Sequence, residues 1–208
     1  MFLVSLDPSF TRTGICIIDL QNKHIHFYTA SCKIGEKQFE NVVNAGSSVC
    51  SQIQEVVNNV CGNDFILIME SPIPVSSMSA ALYSLDTIIY KTFQEHVKQT
   101  YNPATLSSKI HGHKYTKNDS IELADKFIKN LSNFGYIIIS TIGTTKKIPH
   151  DCCEAFLYCW LYLHTNNYKD LSFDNSEEIK KYKNRMKNLK AREKLLMKIG
   201  RASCRERV

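Results

Sequence analysis

Several things are missing from this sequence, and each absence narrows what it can be. No apolar run reaches the ~20 residues a membrane-spanning helix needs, and no secretory signal pattern opens the chain. The eight cysteines form no CxxC pair, and no paired Cys/His cluster has zinc-ligand spacing. Several, such as Cys16 and Cys159, sit inside apolar runs. They read as reduced, mostly buried thiols of a cytoplasmic or nuclear protein, not as a disulfide framework. No internal repeat is present. Glycine is scarce, with eight residues in 208, so there is little material for multiple glycine-rich phosphate loops.

What is present is an ordinary core composition. A hydrophobic fraction of 43% in 208 residues supports one full domain with a small appendage. The net charge of +6 is unevenly spread. Residues 177–197 carry eight Lys/Arg and three Glu, and residues 198–208 carry four Lys/Arg and one Glu, which leaves the first 176 residues at a net −2. The body is slightly acidic and the basicity is C-terminal. The last eleven residues, KIGRASCRERV, look like a sequencing-library adapter read through in frame. They are expected to replace the true C-terminus and are set aside from fold reasoning.

The chain is organised around residues 2–20, FLVSLDPSFTRTGICIIDL. An apolar run ends on Asp7, a Pro-Ser turn and Thr13-Gly14 follow, and a second apolar run begins at Ile15. This predicts strand, turn, strand, with one carboxylate at a strand end. A buried carboxylate is costly unless it is neutralised, whereas an Asp-Pro pair often only caps a turn. His24 to Ala30 alternates and predicts a third strand, on which His24 and His26 share a face. They are a possible ligand pair, or simply two exposed histidines.

Apolar spacing predicts helices over 36–60, 77–99, 118–133 and 150–164. Phe65–Met69 is a short, uniformly apolar strand ending on Glu70, expected near the centre of the sheet. Residues 104–117 are expected to form a short strand and a loop, and Tyr136–Ser140 a strand. A polar linker precedes a charged helix over 177–197, acidic first and basic later as a helix dipole favours. The order β-β-β-α-β-α-β-α-β-α is α/β with a mixed sheet.

Asp151 and Glu154, three apart in the first turn of the last core helix, fall on one helical face. With Asp7 and Glu70 they make four carboxylates at element ends. Such a set repels itself unless divalent cations neutralise it, and oxygen ligands suit Mg²⁺ or Mn²⁺. Two such ions about 3.5–4 Å apart commonly drive phosphodiester displacement.

Four stretches, LDPSFTRTGICIID, ILIMESP, YNPATLSSKIHGHKYTKNDSI and HDCCEAF, occur in the order and spacing of a known family. Over about residues 1–165 the chain resembles the RuvC-type Holliday-junction resolvases of the ribonuclease-H-like superfamily. The resemblance implies a ribonuclease-H-like nuclease domain over 1–165. Residues 166–197 then form a polar linker and basic helical extension. It implies Asp7, Glu70, Asp151 and Glu154 as metal ligands for two Mg²⁺ ions, with Mn²⁺ able to substitute. Lys109 and Lys117 match basic positions near the scissile phosphate. It further implies a homodimer that nicks a four-way DNA junction in pairs during recombination and repair, leaving a 5′-phosphate.

The helix over 77–99 is then a candidate dimer face or an ordinary core helix, and His150 a candidate phosphate contact, a neighbour of a ligand or simply a residue capping the helix start. Glu154 departs from the more common Asp, and the family's glycine loop is reduced to His111-Gly112-His113. Residues 134–149 are longer than the compact bacterial pattern, and these departures together point to a viral, phage or otherwise divergent member acting in the host-cell cytoplasm or at a viral replication site.

Three rival readings follow from the same residues. One is a flap or fork nuclease of the same superfamily. Another is an actin-like ATPase, since Asp7 with Thr13-Gly14 also fits a phosphate loop, but the second glycine-rich loop that fold needs is missing. The third is a non-catalytic junction binder, for which concentrated negative charge facing DNA would serve no purpose.

Overall fold

A computed structural model describes residues 1–33, 39–70, 77–102, 116–140, 147–166 and 168, with isolated helical positions at 180, 184, 187 and 188. Its elements run β1 (Phe2–Asp7), β2 (Thr13–Asp19), β3 (His24–Ala30), α1 (Phe39–Cys61), β4 (Phe65–Glu70), α2 (Ser77–Thr92), β5 (Val97–Tyr101), α3 (Lys117–Asn133), β6 (Ile137–Ser140) and α4 (His150–Thr165). The six strands form one sheet in the order β5-β4-β1-β2-β3-β6. The first three strands pair antiparallel, while β4 joins β1, β5 joins β4 and β6 joins β3 in parallel. The sheet is mixed, as expected, and β4 lies inside it.

Strand alternation sorts the side chains between two helical layers. Val4, Leu6, Ile15, Ile17, Leu67 and Met69 face α1 and α2, where Val49, Ile53, Val57, Leu85 and Ile89 complete one core. Leu3, Cys16, Ile18, Phe27 and Ile68 face α3 and α4, with Phe127, Phe156 and Trp160. The α4 helix is buried almost all round, because it lies across β1, β2 and β4 and carries α3 on its back. Within this layer the Ser5 hydroxyl donates to the Ala155 carbonyl and the Phe127 and Trp160 rings stack at 4.3 Å.

One predicted boundary is corrected. The helix expected over 77–99 ends at Thr92, and Val97–Tyr101 forms the edge strand β5. Phe93 continues the apolar spacing of α2 and so hid the break. Its ring and that of His96 pack on Phe65, and His96 offers its carbonyl to the Leu67 amide at 2.8 Å. The sheet therefore satisfies backbone groups that a longer helix would have paired internally. The strand and loop expected over 104–117 lie mostly outside the described residues, as does most of the basic helix over 177–197. Among the described residues no helix is long and apolar enough to cross a membrane.

Candidate active site

The β1 and β4 strands run side by side in the same direction, with Leu6 opposite Met69, so the next residues, Asp7 and Glu70, end adjacent strands together. Alternation places both on the α4 side: Asp7 follows Leu3 and Ser5, and Glu70 follows Ile66 and Ile68. The carboxyl ends of strands are where open α/β sheets commonly build their sites.

Gly14 brings the helix to this point. It sits opposite Asp7 in the β1–β2 ladder. A β-carbon at Gly14 would collide with the Asp151 carbonyl and with the Cys152 amide. Only glycine lets the first turn of α4 press onto the strand pair, and that turn carries Asp151 and Glu154.

The four acids act on one another electrostatically. Burial pushes the Asp7 carboxyl well above its ordinary value, and the charges of Glu154, Glu70 and Asp151 push it further in the same direction. Asp7 therefore donates the proton of a hydrogen bond to Glu70. Burial also raises Glu70, and Glu154 adds to the rise, while hydrogen bonds from Asp7 and the Tyr158 hydroxyl oppose it.

At Asp151 burial pushes upward too, but hydrogen bonds from His150 and Arg12 outweigh it and hold the carboxyl below its usual value. His150 lies between the two helical acids, with Nδ1 3.5 Å from Asp151 Oδ1 and Nε2 3.2 Å from Glu154 Oε1. Those two partners push its imidazole up to about 9, so it is a cation at neutral pH. The Ser120 hydroxyl donates to Glu154 at 3.2 Å.

The donor set suits a hard divalent cation, being all oxygen and rich in charge. As the side chains stand, no group of three or more His, Cys, Asp or Glu among the described residues is arranged to hold a metal. The partners account for this. Arg12 and His150 draw Asp151 and Glu154 to themselves, and Asp7 and Glu70 turn to each other. The acids are compensated in pairs by internal cations and a shared proton, so they do not converge on a common point.

Asp7, Glu70, Asp151, Glu154 and His150 are thus brought together from the positions singled out in the sequence. Lys117 is exposed at the start of α3, one turn before the Ser120 that touches Glu154, and so stands at the rim. Lys109 lies outside the described residues. His24 and His26 pack edge to face at 6.2 Å, with Tyr28 beside His26, and no third described ligand joins them.

Sequence reasoning passed over Arg12, Ser120, Tyr158 and Asp86. Asp86 was detectable, because it stands on the apolar stripe of α2 between Leu82 and Ile89, where a carboxylate is out of place. Arg12 was visible as the one cation in the turn between two buried strands.

The sheet order and the helix crossing its first and fourth strands define the ribonuclease-H-like fold. Within that class the described chain is similar to two solved structures of Thermus thermophilus RuvC. One, in complex with a Holliday junction substrate, matches with a TM-score of 0.52 at 11% identity, covering 79% of this chain and 95% of that one. The other matches with a TM-score of 0.51 at 12% identity, covering 80% and 97%. No protein-family model and no curated protein matches the sequence.

Proposed function

We propose that this chain is a metal-dependent, structure-selective DNA endonuclease that resolves four-way junctions by paired nicks. The observation that carries this reading is the mutual action of Asp7, Glu70, Asp151 and Glu154 at the ends of β1 and β4 under the first turn of α4. A self-repelling set of buried acids makes chemical sense where divalent cations are to be held. Asp7, Glu70, Asp151 and Glu154 would hold Mg²⁺, or Mn²⁺ in its place, whose chemistry is to lower the pKa of an attacking water and offset charge on the phosphate.

The chain's own residues have separate tasks. Lys117 at the rim, with Lys109, contacts the DNA phosphates. Arg12 and His150 balance the acids when no cation is bound. The fold neighbour solved with a Holliday junction supports branched DNA as the substrate class. A homodimer through α2 places two sites on one junction, and the exposed Tyr83 and Tyr90, two turns apart on that helix, support this face.

The test is a nicking assay on a labelled four-way junction, a fork and a matched duplex, with Mg²⁺, Mn²⁺ or chelator, beside Asp7→Asn. Symmetric nicks on the junction that need metal and vanish in the variant are expected. Equal cutting of the fork would make the protein a broader branch nuclease. Tight junction binding without cleavage under every metal condition would make it a binder.

A further inference from the structure

We infer that the turn between β1 and β2 is a phosphate cradle beside the acids, in which Arg12 and the hydroxyls of Ser9 and Thr11 take one phosphodiester of the DNA. This rests on the reading of DNA as the substrate, and it needs no bound cation.

The turn is held from inside. Phe10 is only 8% exposed and packs into the core shared with α1 and α2. Its carbonyl accepts from the Cys32 amide at 2.9 Å. The Ser9 amide donates to the Thr13 hydroxyl at 3.0 Å, and that hydroxyl donates back to the Ser9 carbonyl at 2.6 Å. A turn pinned in this way presents its outer groups in fixed places. Those groups are polar. Ser9 Oγ and Thr11 Oγ1 lie 3.0 Å apart at the surface. Arg12 follows, with its side chain 50% exposed.

Both ends of the turn lead into the site. Asp7 closes β1 just before it, and Gly14, the cross-strand partner of Asp7, comes just after it. Arg12 reaches the helix acids directly by donating its Nε–H to Asp151. That bond orients the guanidinium. The terminal N–H groups of the fork have no partner among the described residues. The first 176 residues carry a net −2, and a concentration of acids repels a polyanion unless a cation faces it. Two cations touch the acids, and His150 is only 11% exposed, so Arg12 is the one that reaches solvent. An arginine fork matches phosphate geometry, and serine and threonine hydroxyls commonly join such contacts.

The experiment measures binding of a fluorescent four-way junction to the full-length protein in chelator, over a series of salt concentrations. Arg12→Ala is expected to bind about 10–100-fold more weakly and to reduce the salt slope by about 1, as loss of one charged phosphate contact does. Arg12→Lys should keep the slope and lose part of the affinity, because it keeps the charge without the fork. Ser9→Ala combined with Thr11→Ala should weaken binding about 2–10-fold at an unchanged slope. Lys23→Ala removes the same charge at the opposite end of the sheet and should stay within about twofold of wild type. The Arg12→Ala loss should persist in an Asp151→Asn background. Arg12→Ala binding within about twofold of wild type, at the wild-type slope, would overturn the inference. An equal loss in Lys23→Ala would also overturn it, by making Arg12 one surface charge among others. So would a loss that vanishes with Asp151→Asn, which would leave Arg12 as a counter-ion alone. Failure of the underlying reading looks different: wild type itself would not bind the junction. Melting curves show whether each variant folds, and if Arg12→Ala does not, the affinities of Arg12→Lys and of the Ser9, Thr11 double variant decide.

Discussion

Gly14 and Asp151 are in contact through their backbones: the Asp151 carbonyl occupies the space a side chain at Gly14 would need. Gly14 is also the cross-strand partner of Asp7. One small residue thereby sets the distance between the strand acid and the helix acids. Gly14→Ala is expected to push the start of α4 outward. Overpacking of this kind costs about 1–3 kcal/mol. The effect on turnover should exceed the effect on stability, because a displacement near 1 Å can cost about 10²-fold in rate. Chemical denaturation beside the junction-nicking rate would show both. A variant with wild-type turnover would mean that the helix position is not what Gly14 protects.

Arg12 pairs with Asp151 from a half-exposed position. Ion pairs of that exposure contribute only ~0–1 kcal/mol, so Arg12→Ala is expected to leave the melting temperature nearly unchanged. The same substitution removes a cation that competes with metal for Asp151. Mg²⁺ affinity should therefore rise, by up to about fivefold, the equivalent of ~1 kcal/mol. Titration calorimetry in the absence of DNA checks this. A fall in affinity would mean that Arg12 orients Asp151 toward the ion and does not compete with it.

The sequence disclosed the architecture wherever one face or one period dominated. Uniform apolarity in Phe65–Met69 placed β4 inside the sheet, and the i, i+3 spacing of Asp151 and Glu154 put both acids in one helical turn. It failed where two patterns overlapped. Phe93 kept the helical period of α2 past its real end, and β5 showed only once the pairing with β4 was known. The compensation of the acids was also hidden. No spacing rule links Arg12 to Asp151 across 139 residues, and that contact exists because Gly14 admits the helix. The acid Asp86 was legible as a break in an apolar stripe, but its nearness to Glu70 was not.

The cation-free protein should lose stability as pH rises. Asp86 titrates near an ordinary carboxylate value when unfolded, and burial with the Glu70 charge lifts it to about 8 in the fold. A raised folded value contributes stability that is fully present below the unfolded pKa and is lost as pH rises through the folded one. His150 behaves alike: the hydrogen bonds it donates to its helix acids lift it from 6.5 to about 9. In chelator the melting temperature is therefore expected to fall steadily from pH 6 to pH 9. Asp86→Asn should flatten the part of the curve below about pH 8, and His150→Gln the part above 6.5. Saturating Mg²⁺ should flatten the His150 part of the curve, because Asp151 and Glu154 then have another partner. A cation-free melting temperature that climbs over this range would contradict the assignment of either group.

Asp7 is the most strained of the acids, since burial and three neighbouring carboxylates all oppose its charge. Such a residue is kept for what it does and not for what it contributes to folding. Asp7→Asn keeps the shape and the hydrogen bond to Glu70 but has no proton to give up when a cation arrives, and none to lose on unfolding. In chelator it is expected to melt above wild type. With Mg²⁺ the order should reverse, because wild type gains binding free energy that the variant cannot. Junction nicking should disappear at the same time. The crossing of the two melting curves with Mg²⁺ concentration is the decisive reading. A buried acid serving only as a turn cap would give a variant that is less stable than wild type at every concentration, with no crossing, and in that case β1 would end on a structural residue and the centre of the chemistry would lie elsewhere.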